Sequence, residues 1–196
     1  MKNKLFKHLK VVFKHKWIVF RCMCDCGRPV QGFFHDTSKL SPAELFPSVK
    51  YFQGNRSPID AEKEDKGYSE AWFHHRGRNK HHSQYWCDIS FGEVKPCKIP
   101  EKYLIELICD GIGAGMAYDG KNWNCKNPWN YYLSRDHKSF YHPETRKALE
   151  GVYVYIAQHG WKPFAKLIKN GVSLYSYFSN YEFLTRNGKK DEIRDS

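Results

Sequence analysis

The chain has 196 residues, of which 41% are hydrophobic and 27% charged, so it can bury the core of one domain and wholesale disorder is excluded. No run of 18 apolar residues occurs, so we expect no membrane span. No apolar segment with a cleavage site follows the basic N-terminus, so we expect no secretory signal and a cytoplasmic protein. The net charge of +11 attracts polyanions, although a soluble basic surface explains it as well and no zinc-finger, RNP or helix-turn-helix motif occurs.

The first predicted element is a long helix from Asn3 to Cys26. Its apolar residues recur at helical spacing, and Gly27 and Pro29 end it. A short apolar segment, Val30–Phe34, follows and leads into a His-Asp pair.

The next predicted helix has a strong start. Ser41 is a typical N-cap, Pro42 suits the first helical position, and Glu44 is placed to complete a capping box. We expect this helix to end near residue 52. The polar stretch Gln53–Gly67 is interpreted as a long surface loop, of the kind that often serves as a lid or a binding loop.

The second half of the chain is also mostly helical in prediction. A short helix at Ser69–Arg76 ends in a turn at residues 77–79, and an apolar stripe predicts a helix at Pro100–Tyr118. Further helices are predicted from His142 to Gly160 and at Pro163–Asn170.

The last part of the chain is less regular. Residues 172–184 alternate aromatic and polar side chains and fit a helix or a hairpin, and residues 187–196 form a charged tail that we expect to fray. The sequence therefore predicts an all-α chain with a single domain over residues 1–186.

Seven cysteines occur along the chain: Cys22, Cys24, Cys26, Cys87, Cys97, Cys109 and Cys125. The odd number and the expected location favour reduced thiols over disulfides. On a helix, the spacing of two between the first three would place neighbouring thiols about 200° apart, so we do not expect them to share a metal ion.

Histidines and aspartates form the strongest functional pattern, because seven of the ten histidines precede residue 83. In chain order the candidates are His8, His15, His35, Asp36, His74, His75, His81, His82 and Asp110. Imidazole and carboxylate groups are ligands for Zn, Mn, Fe, Ni and Mg, and such sites draw their ligands from several helices. The pattern favours a metal site over unrelated core and surface histidines.

The order His, His-Asp, His, His, Asp on a helical chain resembles the HD-domain superfamily of metal-dependent phosphohydrolases. Residues 32–39, Gly-Phe-Phe-His-Asp-Thr-Ser-Lys, are similar to its signature, in which His-Asp is followed shortly by Lys. The resemblance implies an HD-domain-like helical bundle with long polar loops.

A closer resemblance links the chain to an uncharacterised HD-like family of bacterial and phage proteins. It rests on His-Asp-x-Ser-Lys-x-Ser-Pro-x-Glu from residue 35, on residues 71–86, on Tyr-x-Gly-Lys at 118–121 and on His-Pro-Glu-Thr from residue 142. This resemblance extends over most of the chain, but it implies no established activity.

The HD resemblance implies one metal ion held by a first-helix histidine together with His35, Asp36 and Asp110. His8 and His15 are seven residues apart and share a helix face, and the spacing to the His-Asp pair favours His15, with His8 as the alternative. Apolar residues surround Asp110, where a buried carboxylate requires a cation.

His75, His81 and His82 are the expected ligands of a second ion, as in HD subgroups with extra histidines. If only one ion binds, they would instead hold phosphate or act as a general acid. The predicted catalytic residues are Asp36, Lys39, His75 and His82. The predicted substrate-binding residues are Lys39, Arg76, Arg78, Asn79 and Lys80. The charges of the four basic residues would neutralise a phosphate or simply belong to a solvated loop.

The implied activity is that of a metal-dependent phosphohydrolase, which acts through metal-activated water on a nucleotide or another small phosphorylated compound. The cofactor would be one or two divalent ions of Mn, Fe, Zn, Ni, Co or Mg. The alternatives are an HD-type di-iron oxygenase and a non-catalytic nucleotide or nucleic-acid binding protein, in which Trp72, Tyr85 and Trp86 would stack on bases rather than fill the core. The expected partner is a small anionic substrate. No motif supports binding of nucleic acid, and no membrane partner is expected. The sequence leaves the oligomeric state open.

Overall fold

The structure is a computed structural model that describes residues 2–54, 56–134 and 138–180. Within these residues helices dominate and the only sheet is one hairpin, so the all-α prediction is confirmed. The helices are α1 (Lys2–Asp25), α2 (Pro29–Phe34), α3 (Pro42–Tyr51), α4 (Pro58–Lys66), α5 (Glu70–Arg78), α6 (Glu101–Asp119), α7 (Asn127–Ser134), α8 (Pro143–His159), α9 (Trp161–Lys169) and α10 (Leu174–Tyr177). The strands are β1 (Cys87–Ser90) and β2 (Glu93–Pro96). No helix in the described part of the chain is long and apolar enough to cross a membrane.

Helices α1 and α6 pack against each other at the centre of the fold. Val19 and Met23 of α1 and Ile108 and Ile112 of α6 are fully buried there. A Cβ atom on Gly113 would lie only 2.5 Å from Cγ2 of Val19, so the glycine permits the two helices to approach closely. The middle of α1 therefore faces the middle of α6.

The C-terminal helices complete the core behind this pair. Leu149 of α8, Phe164 of α9 and Leu174 of α10 are buried, and the rings of Phe164 and Phe178 are 5.6 Å apart. This packing supports α1 and α6; α2 and α3 also pack against α1, and α5 packs against α3.

The predicted loop at residues 53–67 is wrong, because α4 occupies most of it. The Ser57 Oγ accepts a hydrogen bond from the Ile59 backbone N–H, Pro58 takes the first helical position, and Gly67 ends the helix with a φ of 79°. These are ordinary helix signals, and the polar composition of the segment obscured them.

The predicted capping box at Ser41 and Glu44 is also wrong, although α3 begins where expected. The Ser41 side chain makes no capping hydrogen bond, and its Oγ has no partner. Glu44 is 3% exposed and accepts hydrogen bonds from His74 and His75 of α5 instead. The carboxylate thus joins two helices rather than capping one.

Further segments differ in detail from the prediction, among them helix α7, which was not predicted. The hairpin was not predicted; its two-residue turn at Phe91 and Gly92 has φ values of 53° and 79°, which is typical of a type I′ turn. The apolar segment after α1 is the short helix α2. Residues 174–180 form α10 and a 3₁₀ turn, while residues 181–196, with the predicted charged tail, lie outside the described residues.

Candidate metal centre

The centre is assembled from five parts of the chain that the fold brings together. Helix α1 supplies His15, and α6 supplies Asp110. His35 and Asp36 follow the C-terminal end of α2, where Asp36 has a left-handed backbone with a φ of 52°, a conformation that aspartate tolerates better than most residues. Helix α5 supplies His75, and the turn after it supplies two further histidines.

The first group of candidate ligands consists of His15, His35, Asp36 and Asp110, whose donor atoms all lie within 4.8 Å of one another. Asp110 Oδ1 is 3.0 Å from His15 Nε2 and 3.2 Å from His35 Nε2. His35 Nε2 is also 3.4 Å from Asp36 Oδ2. Two imidazoles and two carboxylates thus converge from three elements.

The second group consists of Asp36, His75, His81 and His82, whose donor atoms also lie within 4.8 Å of one another. Asp36 Oδ1 is 3.4 Å from His75 Nε2 and 3.5 Å from His81 Nε2. The rings of His81 and His82 are 4.1 Å apart. Asp36 therefore belongs to both groups, with Oδ2 facing the first and Oδ1 facing the second.

Two buried glutamates orient the histidine rings from behind, and the sequence analysis named neither as a site residue. Glu106 Oε1 accepts a hydrogen bond from His35 Nδ1 at 2.9 Å and lies 3.2 Å from His81 Nδ1. Glu44 Oε2 accepts one from His75 Nδ1 at 2.7 Å. A carboxylate on one ring nitrogen directs the other nitrogen inward, an arrangement typical of metal-binding histidines. The sequence signal that could have identified Glu106 is its position one helical turn before Asp110 on the same predicted helix.

The polar atoms at the centre of the cluster are suited to a cation. Nε2 of His81 and Nε2 of His82 are buried without a hydrogen-bond partner. Asp36 is 3% exposed, and His75 Nε2 and His81 Nε2 face its Oδ1 at 3.4 and 3.5 Å. Buried ring nitrogens without a partner cost free energy unless something binds them. The donor set therefore fits one or two divalent metal ions.

The charges in the cluster are strongly coupled. Burial alone would raise the pKa of Asp36, but His35 and Lys39 hold that pKa well below its usual range. Burial would lower the pKa of His35, but Asp36, Asp110 and Glu106 raise it to about 10. Burial lowers the pKa of His82 well below its usual value, so this ring remains neutral with a lone pair to donate.

Solvent reaches the cluster along one edge. The side chains of His15, Asp110 and Lys39 are 13%, 23% and 28% exposed, whereas those of His35 and His75 are at most 3% exposed. Lys39 Nζ lies at this edge, 2.5 Å from Asp36 Oδ2. Lys39 and the first group of ligands are therefore the more exposed part of the cluster.

Of the five predicted substrate-binding residues, the structure places only Lys39 at this edge. Asn79 donates hydrogen bonds to Ser38 Oγ and to the His75 carbonyl, so it holds α5 against the His-Asp segment. Arg76 and Arg78 line a groove together with the candidate His74, outside both ligand groups, and Lys80 lies over aromatic rings.

His8, the alternative first-helix ligand, lies apart from both groups. It is buried against Phe52, with ring centroids 5.2 Å apart, and its Nδ1 has no hydrogen-bond partner. Burial, and the nearby charge of Lys39, lower its pKa. Between the two first-helix histidines, the structure brings His15 to the cluster.

The cysteines contribute no donor to either group. All seven are free thiols, and Cys22, Cys26 and Cys109 are buried in the core between α1 and α6. Cys26 Sγ lies 3.9 Å from Cys109 Sγ. Burial raises the pKa of the Cys22 thiol to about 12. These thiols are packing residues.

Comparison with known proteins gives one match. Residues 4–154 match the model of a family described as "Family of unknown function (DUF5662)", and this segment contains every candidate ligand. No curated protein and no solved structure matches the chain.

Proposed function

The chain belongs to the DUF5662 family of unknown function, and we propose that it is a phosphohydrolase that uses two divalent metal ions. The observation that carries this proposal is the position of Asp36, which is shared by two groups of four candidate ligands. A carboxylate shared in this way suits a pair of neighbouring ions, the arrangement found in many phosphoryl-transfer enzymes. The resemblance of the His-Asp and Lys pattern to the HD-domain superfamily supports the same activity.

The proposed ligands divide between the two ions by position. His15, His35 and Asp110 would hold the first, His75, His81 and His82 the second, and Asp36 both. When bound, the ions would supply a nucleophile at neutral pH and neutralise phosphoryl charge. Glu106 and Glu44 keep the His35 and His75 rings oriented, and they stay ionised because hydrogen bonds from the histidines outweigh burial and lower the pKa of Glu106 to about 2 and that of Glu44 below its usual value.

Lys39 is the residue of the chain that we expect to bind the phosphoryl group directly. Its ammonium group pairs with Asp36, and its side chain is partly exposed at the edge of the cluster. With metal ions held by Asp36, the ammonium group would be available to a substrate oxygen, where it would stabilise negative charge that develops during transfer. The net charge of +11 favours the approach of an anionic substrate such as a nucleotide.

The test combines metal analysis with phosphate release. Purified protein, loaded separately with Mn, Fe, Zn, Ni, Co or Mg, is assayed against nucleotides and other small phosphorylated compounds. We expect two ions per chain and release of phosphate with at least one metal. Asp36→Asn should lose both, whereas Asp88→Asn, an exposed strand carboxylate, should lose neither.

Lys39→Met separates binding of metal from turnover. We expect it to retain both ions but to lower kcat about 100-fold, the usual effect of removing one charge-stabilising donor. Protein that binds no metal, or metal-loaded protein that releases no phosphate from any compound of the panel, would overturn the proposal.

A second candidate uses the same ligands. The centre is rich in imidazole, which suits iron, so a di-iron oxygenase is the competing function. Mössbauer signals of a coupled iron pair in protein purified without oxygen, together with substrate-dependent consumption of O₂, would select it over hydrolysis.

A further inference from the structure

A large groove runs along the outer side of α5. Its volume is about 1280 Å³, and its walls come from α5, the turn between α4 and α5, and the hairpin. Of the candidate histidines only His74 lines it, and no member of the two ligand groups does. The groove therefore adjoins the ligand cluster, since the Trp72 ring of its lining lies 4.7 Å from the His82 ring, but it contains none of the proposed ligands.

Several aromatic rings along the groove are accompanied by a cation. Lys63 Nζ lies 5.3 Å from the Trp72 ring, and the Arg76 guanidinium lies 5.0 Å from the Phe73 ring. At one end, Lys80 Nζ lies 5.8 Å from the Tyr85 ring. Phe73 is 69% exposed, so its ring presents a large apolar surface to solvent.

The charge of the groove is positive. Lys63, Arg76 and Arg78 line it, and the one acidic residue of the lining, Glu70, has Lys66 Nζ 3.2 Å from its carboxylate. This charge disfavours a basic peptide and favours a polyanion. Rings interleaved with cations are the combination that binds unpaired bases and their phosphates.

We propose that the groove binds single-stranded nucleic acid. Bases would stack on Phe73 and Tyr85, and phosphates would pair with Arg76 and Arg78. The volume exceeds the roughly 300 to 1000 Å³ of a pocket for one small ligand, so a strand of several nucleotides fits it better than one nucleotide. A duplex fits the proposal less well, because its base faces are already stacked and unavailable to the rings.

The binding experiment uses the full chain and a fluorescein-labelled oligothymidylate, followed by fluorescence anisotropy in the presence of a chelator. Because the metals are removed, the outcome does not depend on the proposed hydrolysis, and either proposal can fail alone. We expect binding that weakens as salt is added and a duplex of equal length to bind less tightly.

Two variants locate the binding in the groove. Phe73→Ala should weaken the Kd about ten-fold, and Arg76→Ala should lower the salt dependence by about 0.7 in the slope of log K against log salt, the value for one phosphate contact. Both side chains lie at the surface, so circular dichroism should show unchanged helix content. The matched controls are Trp17→Ala and Lys10→Ala, which remove an exposed ring and an exposed cation of α1 without touching the groove.

Three results would overturn the proposal. The first is absence of binding at low salt. The second is equal loss in the α1 controls, which would show diffuse attraction to a basic protein. The third is equal affinity for the duplex, which would show that the bases do not stack on the rings.

Discussion

His15 and Asp110 are 95 residues apart in the chain, yet His15 Nε2 lies 3.0 Å from Asp110 Oδ1. The contact joins the middle of α1 to the middle of α6. The same Asp110 oxygen is 3.2 Å from His35 Nε2, so one carboxylate holds two imidazoles from different elements. The candidate metal centre therefore depends on how α1 packs against α6.

His15→Gln should lose the ion of the first group, because it removes one of four donors at a partly exposed edge. Metal stoichiometry, measured by mass spectrometry, should fall by about one ion per chain. The matched control is His8→Gln, which alters a buried histidine on the same helix face, outside both groups.

The control should change stability rather than metal content. His8 packs against Phe52, so its replacement should lower the free energy of unfolding by about 1 to 3 kcal/mol while both ions remain. If the two variants exchange these effects, His8 is the ligand and the proposed assignment on α1 is wrong.

Glu106→Gln should weaken metal binding without abolishing it. The glutamate does not face Asp36 directly but accepts the Nδ1 hydrogen bond of His35, and loss of such a partner usually lowers metal affinity about 10- to 100-fold. Competition with a chromophoric chelator measures the change. Glu150→Gln, which alters the carboxylate bonded to the Tyr132 hydroxyl, is the control and should leave metal affinity unchanged. An unchanged affinity in Glu106→Gln would show that His35 needs no orienting carboxylate.

Gly113→Ala should destabilise the protein and weaken metal binding together. The new Cβ would lie 2.5 Å from Val19 Cγ2 and 3.3 Å from the Val19 backbone nitrogen, so α1 must shift away from α6, at a cost of about 1 to 3 kcal/mol. Gly111→Ala on the same helix meets only the Tyr153 hydroxyl, at 3.4 Å, and should be neutral or stabilising by up to about 1 kcal/mol. Urea unfolding measures both, and equal stability of the two variants would contradict the close approach.

The Asp25 carboxylate, at the C-terminal end of α1, should make the free energy of unfolding depend on pH. It accepts hydrogen bonds from Trp161 Nε1 at 3.0 Å and from Lys162 Nζ at 2.8 Å. Burial opposes ionisation, but these bonds lower the pKa of Asp25 below 3.8. Because the folded pKa is the lower one, the stabilisation is present above pH 3.8 and is lost as the pH falls through the folded pKa.

The corresponding variant is Asp25→Asn. At pH 7 it should be less stable than the unaltered chain by about 1 kcal/mol, since an amide cannot pair with the Lys162 ammonium. The difference should shrink in acid, as followed by urea unfolding at a series of pH values. A difference that stays constant down to acid pH would show that the charge of Asp25 contributes nothing.

The sequence by itself determined most of the long helices, though not α4 or α7, and it identified the residue types of the candidate metal centre. The apolar spacing of α1 and α6 and the Pro and Gly signals at helix ends act locally, so they can be read along the chain. The His-Asp pair and the histidine doublets were visible for the same reason. Helix α4 carried equally local signals at Ser57 and Gly67, and its polar composition masked them.

Only the tertiary structure decided how those residues are arranged. Contacts between residues distant in the chain place His15 rather than His8 beside Asp110. Such contacts also let two ligand groups share Asp36, and they bring Glu44 and Glu106 to the histidine rings that they orient. A spacing pattern predicts which residues share a helix face. It does not predict which other helix packs against that face, or at which position along the helix axis. Side-chain packing fixes both, here through the close contact of Gly113 with Val19.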